Sequence, residues 1–587
     1  MLSCCLRKAA SIFGIGVLCL VHSGAFGQSV PDRVPSTADP GRALHDQLKS
    51  IQKSPSERVA PVIVPENPIG QEAPKGAEKI FFRLRKVNIE GMSRFEPDHF
   101  SYLYESSIGK KVSVATLWEM ARSITASYRS EGHFLSKAYI PPQKIKKGRV
   151  RIVVIEGHIA EVYVKGSSAQ DRLIREITQP LTQEKPIRLS TLEKGLLLLN
   201  QIYGLDFDAV LGRREWERGQ VGEAVLTLIQ KEDIPEVTVA TNNYGSRYTG
   251  PYSHSLSYDG SFSPYHQTSL SGFFNVLGGN ELTAFSGQHK VQLTPEVEAQ
   301  FRLSASRSAP GFILKSQDIR GNSVEWGAGV TWHAVRQRAE NLSVSFGIDV
   351  QKNKTDTLGE PLTREDIMVA RASLDYGFQD QWSGFNNVEV TLSRGIPWGS
   401  SREGEINLSR ANASPHFSKL EVTYDRQTLL SKSFSLNTKF AGQWASGGLY
   451  SSEEFGFGGI NMGRAYDFSE ITGDHGLGFL TELQYRLANV PSGYIANSFV
   501  FYDFGKVWNR GEDATQRAQA SSIGVGIRIF GENGLNMDAT LAWPLVKEIS
   551  TPLSFGSTRG PVLRFGATYQ FRPQREPIDL PKTEAAQ

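Results

Sequence analysis

Catalysis needs titratable or nucleophilic side chains at workable spacings, and this chain of 587 residues offers few. Its 11 histidines are scattered singly. His45, His99, His133 and His475 have no ligand-like neighbours, so the default for each is a structural or solvated role. The three cysteines, Cys4, Cys5 and Cys19, all lie within the first nineteen residues. There is no Gly-x-x-x-x-Gly-Lys-[Ser/Thr] loop, no His-Glu-x-x-His helix and no Gly-x-Ser-x-Gly elbow. These patterns argue against an enzyme, a nucleotide-driven machine and a resident metal or cofactor. One pair stands out instead. Arg464 sits in Gly463-Arg464-Ala465-Tyr466, within a long Gly- and aromatic-rich segment, 447–475. Asp503 sits in Phe501-Tyr502-Asp503-Phe504-Gly505, where it shares a strand face with Phe499 and Phe501. A guanidinium folded back from the loop can make a bidentate pair with such a carboxylate. Spacing alone leaves that reading beside another, a solvated loop arginine and an ordinary lumen aspartate.

The elements that must position this pair are strands. From Pro235 onward helical periodicity gives way to alternation. Leu477, Phe479, Leu483, Tyr485 and Leu487 share one face, with Glu482, Gln484 and Arg486 on the other. In 562–571, Leu563, Phe565, Tyr569 and Phe571 oppose Arg564 and Gln570. A charged face opposite an aromatic-rich apolar one suits a membrane barrel with a wet interior. A soluble sandwich alternates too. Strands are expected near 235–247, 252–262, 267–277, 280–293, 297–309, 323–335, 340–354, 366–380, 383–397, 414–427, 432–446, 476–488, 495–508, 518–531, 534–547 and 561–571. That is sixteen, an even number. Connections longer than eight residues follow only odd strands: 5, 7, 9, 11, 13 and 15. An antiparallel barrel with one tight rim and one loopy rim has this parity. The first strand follows directly on the preceding segment, so that segment lies at the tight, periplasmic rim.

The N-terminal part divides further. Arg7 and Lys8 precede an apolar run, Ala9 to Val21, and Ala25-Phe26-Gly27 has the small-x-small pattern of a cleavage site, so 1–27 reads as a signal peptide. The run is shorter than the ~20 residues of a spanning anchor, and Leu18 argues against a lipoprotein reading of Cys19. Without Arg7 and Lys8 the net charge falls from +3 to 3 − 2 = +1, too even for nucleic acid as a main partner. Asp39-Pro40 starts a helix, 39–53, with Leu44, Leu48 and Ile51 on one stripe. Pro55, Pro61, Pro65, Pro68 and Pro74 then disfavour helix and sheet and predict an extended tether, 54–78. Residues 79–157 and 158–233 each read as β-α-α-β-β. The first has a strand at 81–89, a short helix near 98–106, a helix at 114–130 carrying Leu117, Ala121, Ile124 and Tyr128, and strands at 134–140 and 149–156. A repeated small α+β unit suggests a binding arm.

Together these features resemble a two-partner secretion outer-membrane transporter of the hemolysin activation/secretion family, within the wider superfamily that joins POTRA domains to a 16-stranded barrel. Phe501-x-Asp503-x-Gly505 matches the superfamily's strand motif. Gly463-Arg464-Ala465-Tyr466 resembles its loop motif, with Ala465 where that motif has Gly. Asn243-Tyr244-Gly245-Ser246-Arg247-Tyr248-Thr249-Gly250 resembles the opening barrel strand. The resemblance implies a membrane all-β barrel of 16 antiparallel strands (234–571), two POTRA domains and an N-terminal plug helix. It favours a lock of the loop against the barrel through Arg464, Tyr466, Phe501, Asp503 and Gly505. One departure is the polar tail, 572–587, after Phe571, where family barrels commonly end on an aromatic. The implied function is export of an unfolded periplasmic partner protein through the outer membrane without nucleotide, with membrane lipid around the barrel. The alternatives are an insertase for other barrels, which would carry three or more POTRA domains, or a diffusion porin, which would leave 39–232 without a purpose.

Overall fold

The computed structural model describes residues 38–39, 41–42, 62–63 and, from 73 to 571, all but 97, 167–170, 214–221, 232–233, 276–278, 280, 338, 511–516 and 547–559. The expected signal peptide, the stripe residues Leu44, Leu48 and Ile51, and the tail 572–587 lie outside the described residues.

The tether contributes β1 (Val62–Ile63). The first arm unit comprises β2 (Phe81–Arg83), β3 (Lys86–Glu90), β4 (Lys111–Ser113), the helix Ala115–Ser130, β5 (Lys137–Tyr139) and β6 (Arg149–Ile155). Leu117, Ala121, Ile124 and Tyr128 bury one helical stripe against Val150, Ile152 and Val154 of β6. The expected strand 81–89 is split, because Leu84 N–H bonds Lys110 while Arg85 N–H bonds Gly148. β2 therefore pairs with β4, and β3 with β6. The helix expected near 98–106 is two 3-10 turns, Ser101–Leu103 and Glu105–Ser107, neither of which buries a residue. Phe100, Leu103 and Tyr104 still pack on the unit's core, but so short a segment does not sustain an α-helix.

The second unit comprises β7 (His158–Lys165), the helices Arg172–Gln183 and Leu189–Asn200, β8 (Asp206–Arg213) and β9 (Glu223–Lys231). Asp171 caps the first helix by accepting from Leu173 N–H at 2.8 Å. Ile174, Ile177, Leu181, Leu192, Leu196 and Leu199 cover Phe207, Leu226 and Leu228 of the sheet. The sheet order is β1-β8-β9-β7. The tether is thus not wholly free of sheet: β1 lies parallel to β8. Val62 and Ile63 fall between Pro61 and Pro65 and keep the N–H groups that proline lacks.

The barrel follows as β10 (Glu236–Asn242), β11 (Ser253–Gly260), β12 (His266–Phe274), β13 (Leu282–Thr294), β14 (Val297–Ser308), β15 (Arg320–Arg336), β16 (Glu340–Thr357), β17 (Glu360–Gln379), β18 (Gly384–Gly395), β19 (Ser418–Leu429) and β20 (Phe434–Ala445). A loop hairpin, β21 (Phe455–Phe457) and β22 (Ile471–Gly473), interrupts it. β23 (His475–Arg486), β24 (Tyr494–Trp508), β25 (Arg517–Gly531), β26 (Leu535–Pro544) and β27 (Val562–Phe571) complete it. β27 pairs back onto β10, closing sixteen antiparallel strands. Leu477, Phe479, Leu483 and Tyr485 are exposed on the outer wall while Glu482 and Gln484 are buried inside, as a lipid-facing barrel requires. On the tight rim the connections run from two residues, 295–296, to seven, 487–493.

Two boundaries differ most from expectation. The seventh and eighth strands extend into a two-residue hairpin at Leu358-Gly359, both with positive φ (52° and 84°), so no long loop follows the seventh strand. The first strand ends at Asn242, and 243–250 leaves the sheet. There Tyr244 donates to Asp538, and Gly245 packs against the Gly250 carbonyl too closely for a Cβ. The closing seam is consequently short: β10 and β27 share six residue pairs, whereas β16 and β17 share eighteen.

Candidate functional site

The 446–474 connection folds into the barrel rather than away from it. Its hairpin β21–β22 sets Phe457 against β24, where Gly505 is the only kind of residue that fits: a Cβ there would meet the Phe457 ring at 2.2 Å. On β24, alternation turns Phe499, Phe501, Asp503 and Val507 inward, each at most 3% exposed. Gly526 and Gly524 of β25 leave room for the Phe499 and Phe501 rings, which a Cβ would meet at 2.2 and 2.5 Å.

Arg464 reaches this wall, but its guanidinium does not take Asp503. Its Nη1 lies 2.5 Å from Glu482 Oε2 on β23, and its Nε donates to the Ile460 carbonyl at 3.1 Å. The guanidinium carbon stands 4.4 Å from the Phe501 ring centroid, a cation–π contact. Glu482 also accepts two bonds from Arg528, at 2.6 and 3.0 Å, and one from Gln484 at 2.6 Å. Asp503 instead accepts the backbone N–H of Arg464 at 3.1 Å and both N–H and hydroxyl of Ser522, at 3.0 and 2.5 Å. The reason is reach. The loop backbone at Gly463, φ 84°, already lies on β24. A long side chain starting there overshoots Asp503 and lands on the neighbouring strand. Ala465 is fully buried and is not among the residues with positive φ, so Ala fits without strain.

Tyr466 is fully buried; its hydroxyl donates toward the Ser521 and Val546 carbonyls, 2.9 and 2.8 Å away. The next residue, Asp467, holds Arg247 at 3.0 Å and Arg564 at 3.3 Å. These arginines come from the segment after β10 and from β27, so the loop tip spans the closing seam. The loop base is fixed by a second set of charges. Glu453 takes Arg371 at 2.6 Å and Lys419 at 2.8 Å, and Arg410 takes Glu454 at 3.1 Å and Asp474 at 2.5 Å. Sequence reasoning missed Glu482, Arg528, Glu453 and Arg410. The first two were legible only as charges on inward strand faces; their partners depend on register.

The N-terminal segment around Asp39 and Arg42 meets the loop at the same place. Asp39 Oδ1 accepts from Gly41 N–H at 3.0 Å and Arg42 N–H at 3.2 Å, the helix-start geometry expected of an N-cap. Asp39 also accepts from the Ser451 hydroxyl at 2.7 Å, and Arg42 donates to the Ser451 and Glu454 carbonyls at 2.7 and 3.0 Å. At the opposite rim, the second arm unit meets the barrel through Tyr203, whose hydroxyl donates to Glu298 at 2.6 Å. Tyr265, in the β11–β12 turn, packs on that unit's apolar core. Among the described residues no group of His, Cys, Asp and Glu could hold a metal ion.

A barrel holding an inward loop, with small α+β units at its tight rim, has counterparts among known proteins. The model for the haemolysin secretion/activation proteins ShlB/FhaC/HecB matches residues 224–529, 306 of the 587. The chain belongs to this family. An ShlB-type POTRA model matches residues 82–157. The heme/hemopexin transporter protein HuxB of Haemophilus influenzae strain 86-028NP is 23% identical over 535 residues, covering 84% of this chain and 90% of its own. The outer membrane transporter CdiB of Dickeya dadantii strain 3937 is 20% identical over 485 residues, 79% of this chain and 83% of its own. Among solved structures, CdiB from Escherichia coli superposes with a TM-score of 0.63 at 17% identity, covering 91% of this chain and 96% of that one. BamA from Haemophilus ducreyi lacking POTRA domains 1–3 gives 0.50 at 12% identity, over 84% and 100%; these two likenesses concern fold alone. As a member of the ShlB/FhaC/HecB family, the chain is an outer-membrane transporter of the two-partner secretion type, with its POTRA region in the periplasm.

Proposed function

We infer that the chain exports an unfolded partner protein, caught in the periplasm by the two arm units and passed through the barrel without nucleotide. The observation that carries this reading is the placement of the arm: its second unit is bonded to the periplasmic rim through Tyr203 and Glu298, directly below a lumen lined with charge. An extended chain adds to a strand edge by backbone hydrogen bonds, so an arm of small sheets at the pore mouth suits capture of an unfolded client. The docking of Asp39 and Arg42 on 451–454 supports a plug held in the lumen at rest. The inward loop, tied through Arg464, Tyr466, Phe501, Asp503 and Gly505, serves as the lock that keeps the barrel closed around it. An insertase is less well supported, since the chain has two arm units and a tethered segment inside the barrel.

Deleting the gene should remove a specific protein from the culture medium, and complementation should restore it. Replacing residues 79–232 with the arm of another family member should redirect export to that transporter's partner. A swapped protein still exporting only its original partner would place recognition in the barrel. Deleting residues 28–77 should raise single-channel conductance in planar bilayers.

A further inference from the structure

The outer strand edge of the second arm unit is not bare. β1 lies parallel to β8, Val62 opposite Ala209 and Ile63 opposite Val210, in the outermost position of the order β1-β8-β9-β7. Without β1, β8 would present an eight-residue edge, Asp206–Arg213, and such an edge pairs readily with any extended chain. The occupant is short for a reason visible in the sequence. Pro61 and Pro65 flank it, and proline lacks the N–H a ladder needs. On its other side the same sheet joins β7 to β9 through seven residue pairs, against two for β1 among the described residues. Among the described residues the covering strand is therefore the most weakly tied of the four.

The N-terminal continuation of β1 has a second anchor. Nineteen residues earlier in the chain, 43–61, lead back to Arg42, held on Ser451 and Glu454 in the lumen. On its C-terminal side the next described anchor is the turn in which Ala77 N–H bonds Pro74. One covalent segment thus links the lumen, the β8 edge and the first arm unit.

We propose that β1 is a built-in placeholder: it covers the β8 edge at rest, and an extended segment of the secreted partner takes that edge by displacing it. The displacing partner is an unfolded stretch of about five or more residues without proline, the length of an ordinary strand, because it can run along β8 where β1 supplies two pairs. Displacement releases the tether from residue 62 to the Pro74 turn, about twelve residues or ~40 Å of extended chain. The segment docked in the lumen then gains the slack to leave. Recognition in the arm and opening of the pore become one event. This inference rests on the export reading above.

The test uses Val62→Cys with Ala209→Cys in the full-length transporter. Paired strands lie ~4.8 Å apart, within the Cα separation a disulfide accepts, and Cys4, Cys5 and Cys19 lie in the expected signal peptide. The probe is the culture-medium protein that disappears when the transporter is deleted. In the oxidising periplasm the cross-linked variant should export at least tenfold less, and dithiothreitol should restore export. Val62→Pro with Ile63→Pro, which removes both donors, should keep export and increase spontaneous openings in planar bilayers. Heat-modifiable migration on gels checks that each barrel has folded. Equal export by the oxidised and reduced forms overturns the proposal, and so does failure of the disulfide to form in a folded barrel. If no medium protein depends on the transporter, the export reading itself fails and takes this inference with it.

Discussion

The barrel is joined to other parts of the chain in two very different ways. The inward loop is held by buried charges: Arg464 and Arg528 share Glu482, Arg371 and Lys419 share Glu453, and Arg410 sits between Glu454 and Asp474. The arm meets the rim through one phenol, Tyr203 on Glu298 at 2.6 Å, the Lys290 ammonium 5.9 Å from the Tyr203 ring centroid, and the Tyr265 N–H on the Tyr203 carbonyl at 2.7 Å. A desolvated charge that loses its partner is costly, whereas water can replace a phenol at a rim. By these contacts the loop is tied to the barrel wall by desolvated charge, and the arm to its rim by fewer and more replaceable bonds.

The largest effect should come from Glu482, because two guanidinium groups depend on it. Glu482→Ala should destabilise the folded barrel by about 3–5 kcal/mol, read as the urea midpoint in detergent, and should lower export. A midpoint shift no greater than that of an outward-facing control such as Leu483→Ala would break the contrast between loop and arm.

Arg464 comes next, and here the structure changes what a double-mutant cycle should give. Arg464→Ala leaves Glu482 with Arg528, so about 1–3 kcal/mol is expected. Arg464→Ala and Glu482→Ala should couple strongly. Arg464→Ala and Asp503→Ala should be close to additive, because Ala at 464 still donates its backbone N–H to Asp503. Strong coupling between 464 and 503 would restore the direct pairing expected from the sequence. Arg464→Lys should rescue poorly, since it cannot both bond the Ile460 carbonyl and reach Glu482.

At the junction, Tyr203→Phe removes one hydrogen bond and should cost about 0.5–1.5 kcal/mol. The urea midpoint of the barrel should stay in place, while the distance distribution between spin labels on arm and barrel should broaden. An unchanged distribution would mean that Tyr265 and the backbone bonds suffice to fix the arm.

The sequence made the barrel legible because lipid and lumen impose a period of two on every strand, and turn lengths record which rim is which. Strand ends were legible to within a few residues except where pairing continues into a two-residue turn, at β16–β17, or stops early, at Asn242. Loop 446–474, Arg464 and Asp503 were found from residue type, but not who bonds whom. Glu482 is 21 residues from Asp503 in the chain, and only the register of β23 on β24 makes it a neighbour. β1 was hidden for the opposite reason: five prolines argue against sheet across the tether as a whole, while pairing needs only the few residues between two of them.

The smallest effect should lie within the arm, where a carboxylate is again multiply bonded but half open to water. Glu156 accepts from Ser93 N–H at 2.8 Å, Arg94 N–H at 2.9 Å, the Ser93 hydroxyl and the Tyr128 hydroxyl, the last at 2.6 Å. Partial burial pushes its pKa up, but the bonds from Ser93, Tyr128 and Arg94 outweigh that and hold it below the ordinary glutamate value. A depressed folded-state pKa stabilises fully above the unfolded value, about 4.3, and the contribution is lost as pH falls through the folded value. Glu156→Gln should therefore speed hydrogen exchange, relative to intrinsic rates, at the Ser93 and Arg94 amides near pH 7. The difference from the parent should narrow as both are taken below about pH 4.3. A difference that stays constant on acidification would mean that Glu156 acts through shape rather than charge, and the arm would then share nothing with the charge-held loop.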